Sequence, residues 1–362
     1  MIMEITELLT YAAQQKASDL HLTVGVQPVI RVHGQLIKTS YPVLEREAFH
    51  TMLNDILTED QRSRFDADHE LDFSVDLEGV ARFRVNAYVT RRGVAAAFRL
   101  IAERIPSPQE LHLPEQVLEL CNLERGLVLV TGPTGSGKST TLASLIDQIN
   151  QHRECHIITL EDPIEYVHKH NKSIINQREV GNHTHSFAAA LRSALREDPD
   201  VILVGEMRDL ETIQLAIRAA ETGHLVFSTL HTASAGRTLD RIVDVFPSDQ
   251  QEQIRVQVAD IIEAVLAQTL VSTVDRMGQV PAMEVMFASS AIRNLIRENK
   301  AFQIPTTIQL STQVGMQSMD QALVLLARQN LVTAADAEQK ALDRDNFKHL
   351  MLGKLPPAAG GR

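Results

Sequence analysis

The sequence predicts an α/β chain: a larger, doubly wound part built on a parallel-rich sheet, preceded by a small α+β domain. Three observations predict it. Short apolar runs at residues 127–130, 156–160, 201–204 and 225–229 alternate with helical stretches, the rhythm of a parallel sheet covered on both faces. Pro106, Pro108 and Pro114 crowd one segment, each removing a backbone donor and disfavouring helix before it, so this segment reads as a linker. The apolar fraction is 44% but the aromatic fraction only 4%, which implies cores packed mainly from Leu, Ile, Val and Ala. At 362 residues there is room for two such cores. The expected division is a small domain over 1–103, a linker over 104–114, the larger domain over 115–354 and a disordered tail over 355–362.

Ahead of the linker, Ile5, Leu8, Leu9 and Ala12 recur at helical spacing and predict an amphipathic first helix over 4–15. Alternation or β-branched content then predicts strands at 20–23, 28–32, 71–75, 81–89 and 93–100, with a helix at 45–57 among them. Beyond the linker, a helix over 210–222 begins after Asp209, a good N-cap, and stops at Gly223, a good left-handed C-cap. The final LPPAAGGR holds almost nothing to bury. Cys121 and Cys155 lie far apart without a C-x-x-C, which argues against a disulfide framework or structural zinc and for reduced thiols. There is no basic leader and no apolar run near about 18 residues, so the sequence predicts a cytoplasmic chain without membrane insertion. A net charge of −11 weighs against direct nucleic-acid binding.

The run 127–130 leads into GPTGSGKST, which satisfies G-x-x-x-x-G-K-[ST]. Gly132, Pro133, Thr134, Gly135, Ser136 and Gly137 form a loop whose backbone N–H groups turn inward around phosphates, at the positive end of the helix that starts near Lys138. Lys138 reaches the β and γ phosphates of ATP, Ser139 offers a hydroxyl to Mg²⁺, and Thr140 lies near the α phosphate. The strand VILVGE ends in Glu206; Gly205 stands where such strands usually carry Asp, so Glu206 is read as a Mg²⁺-side ligand. A different carboxylate must then activate water. The strand ITLEDPIE ends in three acids, and Glu161, at the strand tip, is the candidate general base; a solvated acidic loop is the alternative. His183 and His185 lack a third ligand and read as loop residues.

Together GPTGSGKST, ITLEDPIEY, LVGEMRD and TGHLVFSTLHT resemble the secretion-type ring ATPases, and AIRNLIRE at 291–298 is similar to the signature of their pilus-retraction branch. The likeness runs from SDLHL at 18–22 to about residue 331. It implies a RecA-like ATPase domain behind a small PAS-like domain, catalysis by Glu161, a Mg²⁺ role for Glu206, and a histidine box at His224 and His231, of which His231 is the candidate γ-phosphate sensor. The same likeness assigns Arg84 and Arg99 of the small domain to the transferring phosphoryl group, with Arg82, Arg91 and Arg92 as alternatives. By spacing, AIRNLIRE forms a helix with Ile292, Leu295 and Ile296 on a packed side. Arg293, Asn294 and Arg297 occupy a free one, and the likeness makes Ala291 through Glu298 a coupling segment.

The implied machine is a homohexamer at the inner-membrane base of the pilus, acting on a platform protein, with an accessory paralogous ATPase as a further partner. Its output is pilin removal, hence twitching, adhesion and DNA uptake. Two alternatives stand beside it. A pilus-extension or secretion ATPase of the same superfamily commonly carries a four-cysteine zinc insertion, missing from this sequence, and a non-hydrolysing adaptor of a retraction ring is disfavoured by Lys138, Glu161 and Glu206. The loop Thr273-Val274-Asp275-Arg276-Met277 is less basic than the resemblance leads one to expect.

Overall fold

The computed structural model describes residues 4–32, 34–101 and 104–353. The tail expected over 355–362 lies outside the described residues, as does the boundary expected at 103. By its contacts the chain divides into two compact units, Met1–Arg104 and Ile105–Arg362.

In unit 1 the order is α1 (Ile5–Gln14), β1 (Asp19–Thr23), β2 (Val29–Val32), β3 (Gln35–Lys38), α2 (Arg46–Asp55), α3 (Glu59–Asp68), β4 (Glu70–Leu77), β5 (Ala81–Thr90) and β6 (Gly93–Ile101). The six strands form one antiparallel sheet ordered β3-β2-β1-β6-β5-β4. Alternation along β5 buries Ala81, Phe83, Val85 and Ala87, and these join Leu8 and Leu9 of α1 and Phe49 and Leu53 of α2 in one core. Two elements escape the sequence pattern. All four residues of β3, at the sheet edge, are exposed, so no buried alternation announces it. α3 buries only Phe65 and owes its start to a capping box, in which Thr58 and Gln61 each satisfy the other's backbone N–H.

Unit 2 contains α4 (Glu115–Leu118), β7 (Gly126–Thr131), α5 (Lys138–His152), β8 (His156–Glu161), β9 (Ile174–Glu179), α6 (Phe187–Ala194), β10 (Val201–Val204), α7 (Leu210–Glu221) and β11 (Leu225–Leu230). It continues through α8 (Ala235–Asp244), α9 (Gln251–Ile261), β12 (Ile262–Ser272), β13 (Gln279–Phe287), α10 (Ser290–Arg297), α11 (Ile304–Leu310), α12 (Met319–Arg328), α13 (Ala334–Lys340) and α14 (Arg344–Leu352). Seven strands run in the order β13-β12-β7-β11-β10-β8-β9, all parallel except β13. Both faces are covered, as near-continuous apolar strands require. Leu127 and Leu129 of β7 face the core made with α6 to α9, while Val128 and Val130 face α5 through Leu142, Leu145 and Ile149.

Three strands were not legible in the apolar rhythm. β9 is an edge strand with a polar face, β12 follows α9 without a breaker, and β13 carries Pro281, tolerated because that strand is also an edge. No helix among the described residues is long and apolar enough to cross a membrane. Register fixes what matters for chemistry. Thr131 pairs with Leu230, Ser228 with Val204, and Val204 with Leu160, all on parallel strands. The segments leaving the C-terminal ends of β7, β11, β10 and β8 therefore emerge along one edge of the sheet.

Candidate active site

The loop 132–137 joins β7 to α5 and is held from an unexpected direction. Gln268, in the middle of β12, is buried; its amide donates to the Ser136 carbonyl (2.7 Å) and its oxygen accepts from the Thr141 hydroxyl (2.8 Å). The fit is close enough to dictate glycine. A Cβ on Gly132 would sit 2.2 Å from the Gln268 carbonyl oxygen, and one on Gly137 would sit 2.9 Å from its side-chain nitrogen. Both residues also have positive φ, 145° and 84°. Pro133, Thr134 and Gly135 form the exposed rim, while the Ser136 hydroxyl is buried without a partner among the described residues. Lys138 folds back onto the carbonyls of Gly132 (2.9 Å) and Pro133 (3.0 Å). Burial lowers its pKa, against the pull of the Glu206 and Glu165 charges. Ser139 is exposed on the first turn of α5, and the Thr140 hydroxyl meets the Tyr166 hydroxyl at 3.0 Å.

Glu161 and Glu206 stand at the ends of the adjacent strands β8 and β10, in opposite surroundings. The Thr159 hydroxyl (2.6 Å) and the Gln177 amide (3.1 Å) both donate to Glu161 Oε1. Burial nevertheless dominates and pushes this carboxyl up to about 7, although those bonds and the Glu165 backbone favour its ionised form. Burial also works to raise Glu206, but there it loses. Arg208 lies 2.6 Å and His231 Nε2 2.9 Å from the two Glu206 oxygens, and with Lys138 they hold the carboxyl below its ordinary value. Gly205 permits the close approach of the two strand ends: its N–H donates to the Leu160 carbonyl (2.7 Å), and a Cβ there would lie 3.1 Å from that same oxygen.

The loop after Glu161 is anchored by buried Glu179, which accepts the Ile164 N–H at 3.0 Å. His183 accepts the Glu179 N–H (3.0 Å), a loop-building bond. Among the described residues no cluster of three or more His, Cys, Asp or Glu is arranged to hold a metal. The Ser139 hydroxyl and the Glu206 carboxylate, hard oxygens on the phosphate-loop edge, fit Mg²⁺, which takes few protein ligands and fills its shell with phosphate and water. The orphaned Ser136 hydroxyl, in a loop that opens a helix N-terminus, suits an anion in the loop itself.

The remaining residues singled out in the sequence divide. His231 joins the site through Glu206. His224 does not: it precedes β11, at the opposite end of that strand, and its ring caps α7 through the Ala219 carbonyl (2.9 Å). Arg84 and Arg99 belong to unit 1, where they are register partners on β5 and β6; Arg99 donates to Asp19 at 3.0 Å.

In α10, Ile292 and Ile296 are buried and Leu295 packs beside them. Arg293 is a correction to the expected free face. Its guanidinium donates to the carbonyls of Ala259 (2.6 Å), Asp260 (2.9 Å) and Ala288 (3.1 Å) and pairs with Glu263 (3.0 Å), capping the C-terminus of α9. Ala291, Asn294, Arg297 and Glu298 remain exposed, with Arg297 paired to Asp260 at 2.6 Å. Gln268, Tyr166, Gln177 and Arg208 were missed in the sequence. Only Arg208, two residues after Glu206, carried a local signal.

A phosphate-binding loop at a helix N-terminus, its lysine, and two carboxylates on neighbouring strand ends define the class of P-loop nucleoside triphosphatases. The model of the type II/IV secretion system protein family matches residues 1–351, and the chain belongs to that family. Within it the chain is similar to the type IV pilus retraction ATPase PilT of Pseudomonas aeruginosa, 50% identical over 345 residues that cover 95% of this chain and 100% of that protein. A twitching motility protein of Neisseria gonorrhoeae is 51% identical over 343 residues, covering 95% of this chain and 92% of that one. The crystal structure of the pilus retraction motor PilT with bound ADP matches with a TM-score of 0.90 at 49% identity, covering 96% of this chain and 100% of that one.

Proposed function

We propose that this chain is the ATP-hydrolysing subunit of a homohexameric motor that powers type IV pilus retraction. One observation carries the hydrolytic half: two carboxylates at the ends of adjacent parallel strands in opposite surroundings, Glu161 buried against the Thr159 and Gln177 donors, which burial raises to about 7, and Glu206 paired with Arg208 and His231, which hold it down. Surroundings that push two acids apart divide their roles. Glu206 stays ionised on the cation side, and Glu161, poised near the working pH, accepts a proton from the attacking water as its oxygen bonds to the γ-phosphorus. The bond to the β–γ bridging oxygen breaks, and ADP leaves with that electron pair.

Lys138 turns from the loop carbonyls to the β and γ phosphates, which backbone amides of the loop and of the first turn of α5 cradle. Ser139 and Glu206 would hold Mg²⁺, which when bound would neutralise charge on the phosphate oxygens. His231, bonded to Glu206, reports the γ-phosphate to that carboxylate. Arg84 and Arg99 share one face of the small-domain sheet by their register, and the family likeness is what assigns their positive charge to the transferring phosphoryl group.

Similarity to PilT and to a twitching motility protein supports the mechanical half. The motor sits in the cytoplasm at the inner-membrane base of the pilus, works on a platform protein, and takes an accessory paralogous ATPase as a further partner. Exposed Ala291, Asn294, Arg297 and Glu298 give α10 the surface for coupling. The test is phosphate release and particle mass of the purified chain beside Glu161→Gln. A hexamer that turns over ATP, with a variant that binds ATP and is silent, is the expected result. Binding without turnover by the unaltered chain overturns the motor and leaves an adaptor.

A further inference from the structure

We propose that Gln177 is the positioning residue of the hydrolytic site, selecting which oxygen of Glu161 is left free to take the proton and tying that choice to the nucleotide loop. The inference rests on Glu161 being the base. Gln177 lies on the edge strand β9, directly opposite Thr159 in the parallel register. Its amide makes three bonds: Nε2 donates to Glu161 Oε1 (3.1 Å) and to the Tyr166 carbonyl (2.8 Å), and Oε1 accepts the His168 N–H (2.7 Å).

The orientation of this amide follows from its partners. The His168 N–H can only donate and the Tyr166 carbonyl can only accept, so the nitrogen must face Tyr166 and Glu161. With Thr159 also donating at 2.6 Å, both side-chain donors converge on Oε1 of Glu161. Among the described residues no side chain donates to Oε2, which is therefore the oxygen turned to the proton, while the Glu165 backbone N–H adds its own pull on the carboxylate. A glutamine serving the loop alone would have no need to spend a proton on the base.

The same amide holds the backbone of Tyr166, whose hydroxyl meets Thr140 at 3.0 Å, two residues beyond Lys138. Base, acidic loop and phosphate-binding helix thus form one hydrogen-bonded chain through Gln177. Among the described residues the titratable group whose charge acts on Glu161 is Glu165, while the charge of Asp162 acts on Arg208 instead.

The experiment is single-turnover phosphate release at saturating ATP, from about pH 5.5 to about pH 9.5, with nucleotide affinity measured on the same samples. The full chain is compared with Gln177→Glu, Gln177→Met and Glu161→Gln. Gln177→Glu keeps an acceptor for His168 but sets a carboxylate against Glu161; Gln177→Met fills the space and makes no strong hydrogen bond. Loss of the donor disfavours the ionised base, so the acid limb moves to higher pH, by about one unit or more in Gln177→Glu and by less in Gln177→Met. Near pH 7 the rate falls about tenfold in Gln177→Glu and recovers in alkali, with affinity changed less than about threefold. A loss equal at every pH, or an unmoved acid limb in both variants, overturns the inference. Should Glu161→Gln turn over like the unaltered chain, the base assignment itself has failed; should it be silent while the Gln177 variants titrate normally, only the positioning role has failed.

Discussion

Replacing Glu161 by Gln should make the protein slower and more stable at once, and the gain in stability should grow with pH. The folded carboxyl titrates near 7 because burial disfavours its charge, while in the unfolded chain it titrates at its ordinary 4.5. The folded-state value is the raised one, so this group's contribution to stability is fully present below about pH 4.5 and is lost as pH rises through about 7. Two and a half pH units at about 1.36 kcal/mol each give a penalty of about 3 kcal/mol at pH 8, against about 1 kcal/mol at pH 5. Glutamine keeps an oxygen for Thr159 and Gln177 but never ionises. It should therefore raise the melting temperature of the nucleotide-binding unit by roughly 5–10 °C at pH 8 and by only about 2–4 °C at pH 5. Phosphate release should fall about 10²- to 10⁴-fold, the range for losing a general base. Thermal denaturation at the two pH values, without nucleotide, reads the first effect. A variant less stable at pH 8, or equally stabilised at both pH values, would refute the buried-base reasoning.

Other perturbations follow from the geometry. Gln268→Leu leaves the Ser136 carbonyl and the Thr141 hydroxyl without their partner, so nucleotide affinity should weaken about tenfold, matching about 1–3 kcal/mol for a buried group left unpaired; titration with a fluorescent nucleotide measures it. Gly132→Ala drives a methyl into the Gln268 carbonyl and should abolish that binding. Gly135→Ala meets no atom within 4 Å and bears only the strain of φ +76°, roughly 1–2 kcal/mol, so binding should survive. Arg293→Ala removes the cap on α9 and should cost about 2 kcal/mol of stability, whereas Arg297→Ala, an exposed pair, should cost less than about 1 kcal/mol; thermal melts separate the two.

What could be read from the sequence was whatever is local. The run of β7 into GPTGSGKST, and strands ending in Glu161 and Glu206, put three groups on one sheet edge, because parallel strands send their C-terminal segments the same way. What stayed hidden depends on register between distant segments. Gln268 reaches Thr141 across 127 positions, from a strand that continues α9 without a turn. Gln177 meets Glu161 because β9 pairs in parallel with β8, and β9 has too polar a face to look like a strand. Helical spacing placed Arg293 away from the buried isoleucines and so on a free side. Periodicity knows the axis of its own helix but not the end of α9, whose carbonyls claim that guanidinium.

The most direct measurement of whether hydrolysis at Glu161 drives pilin removal is retraction of labelled pili in a piliated cell lacking its own retraction ATPase. The unaltered chain is predicted to restore retraction, and Glu161→Gln, present at the same level and still binding ATP, to leave pili extended. Retraction sustained by Glu161→Gln, or none with an unaltered chain that hydrolyses ATP, would contradict it.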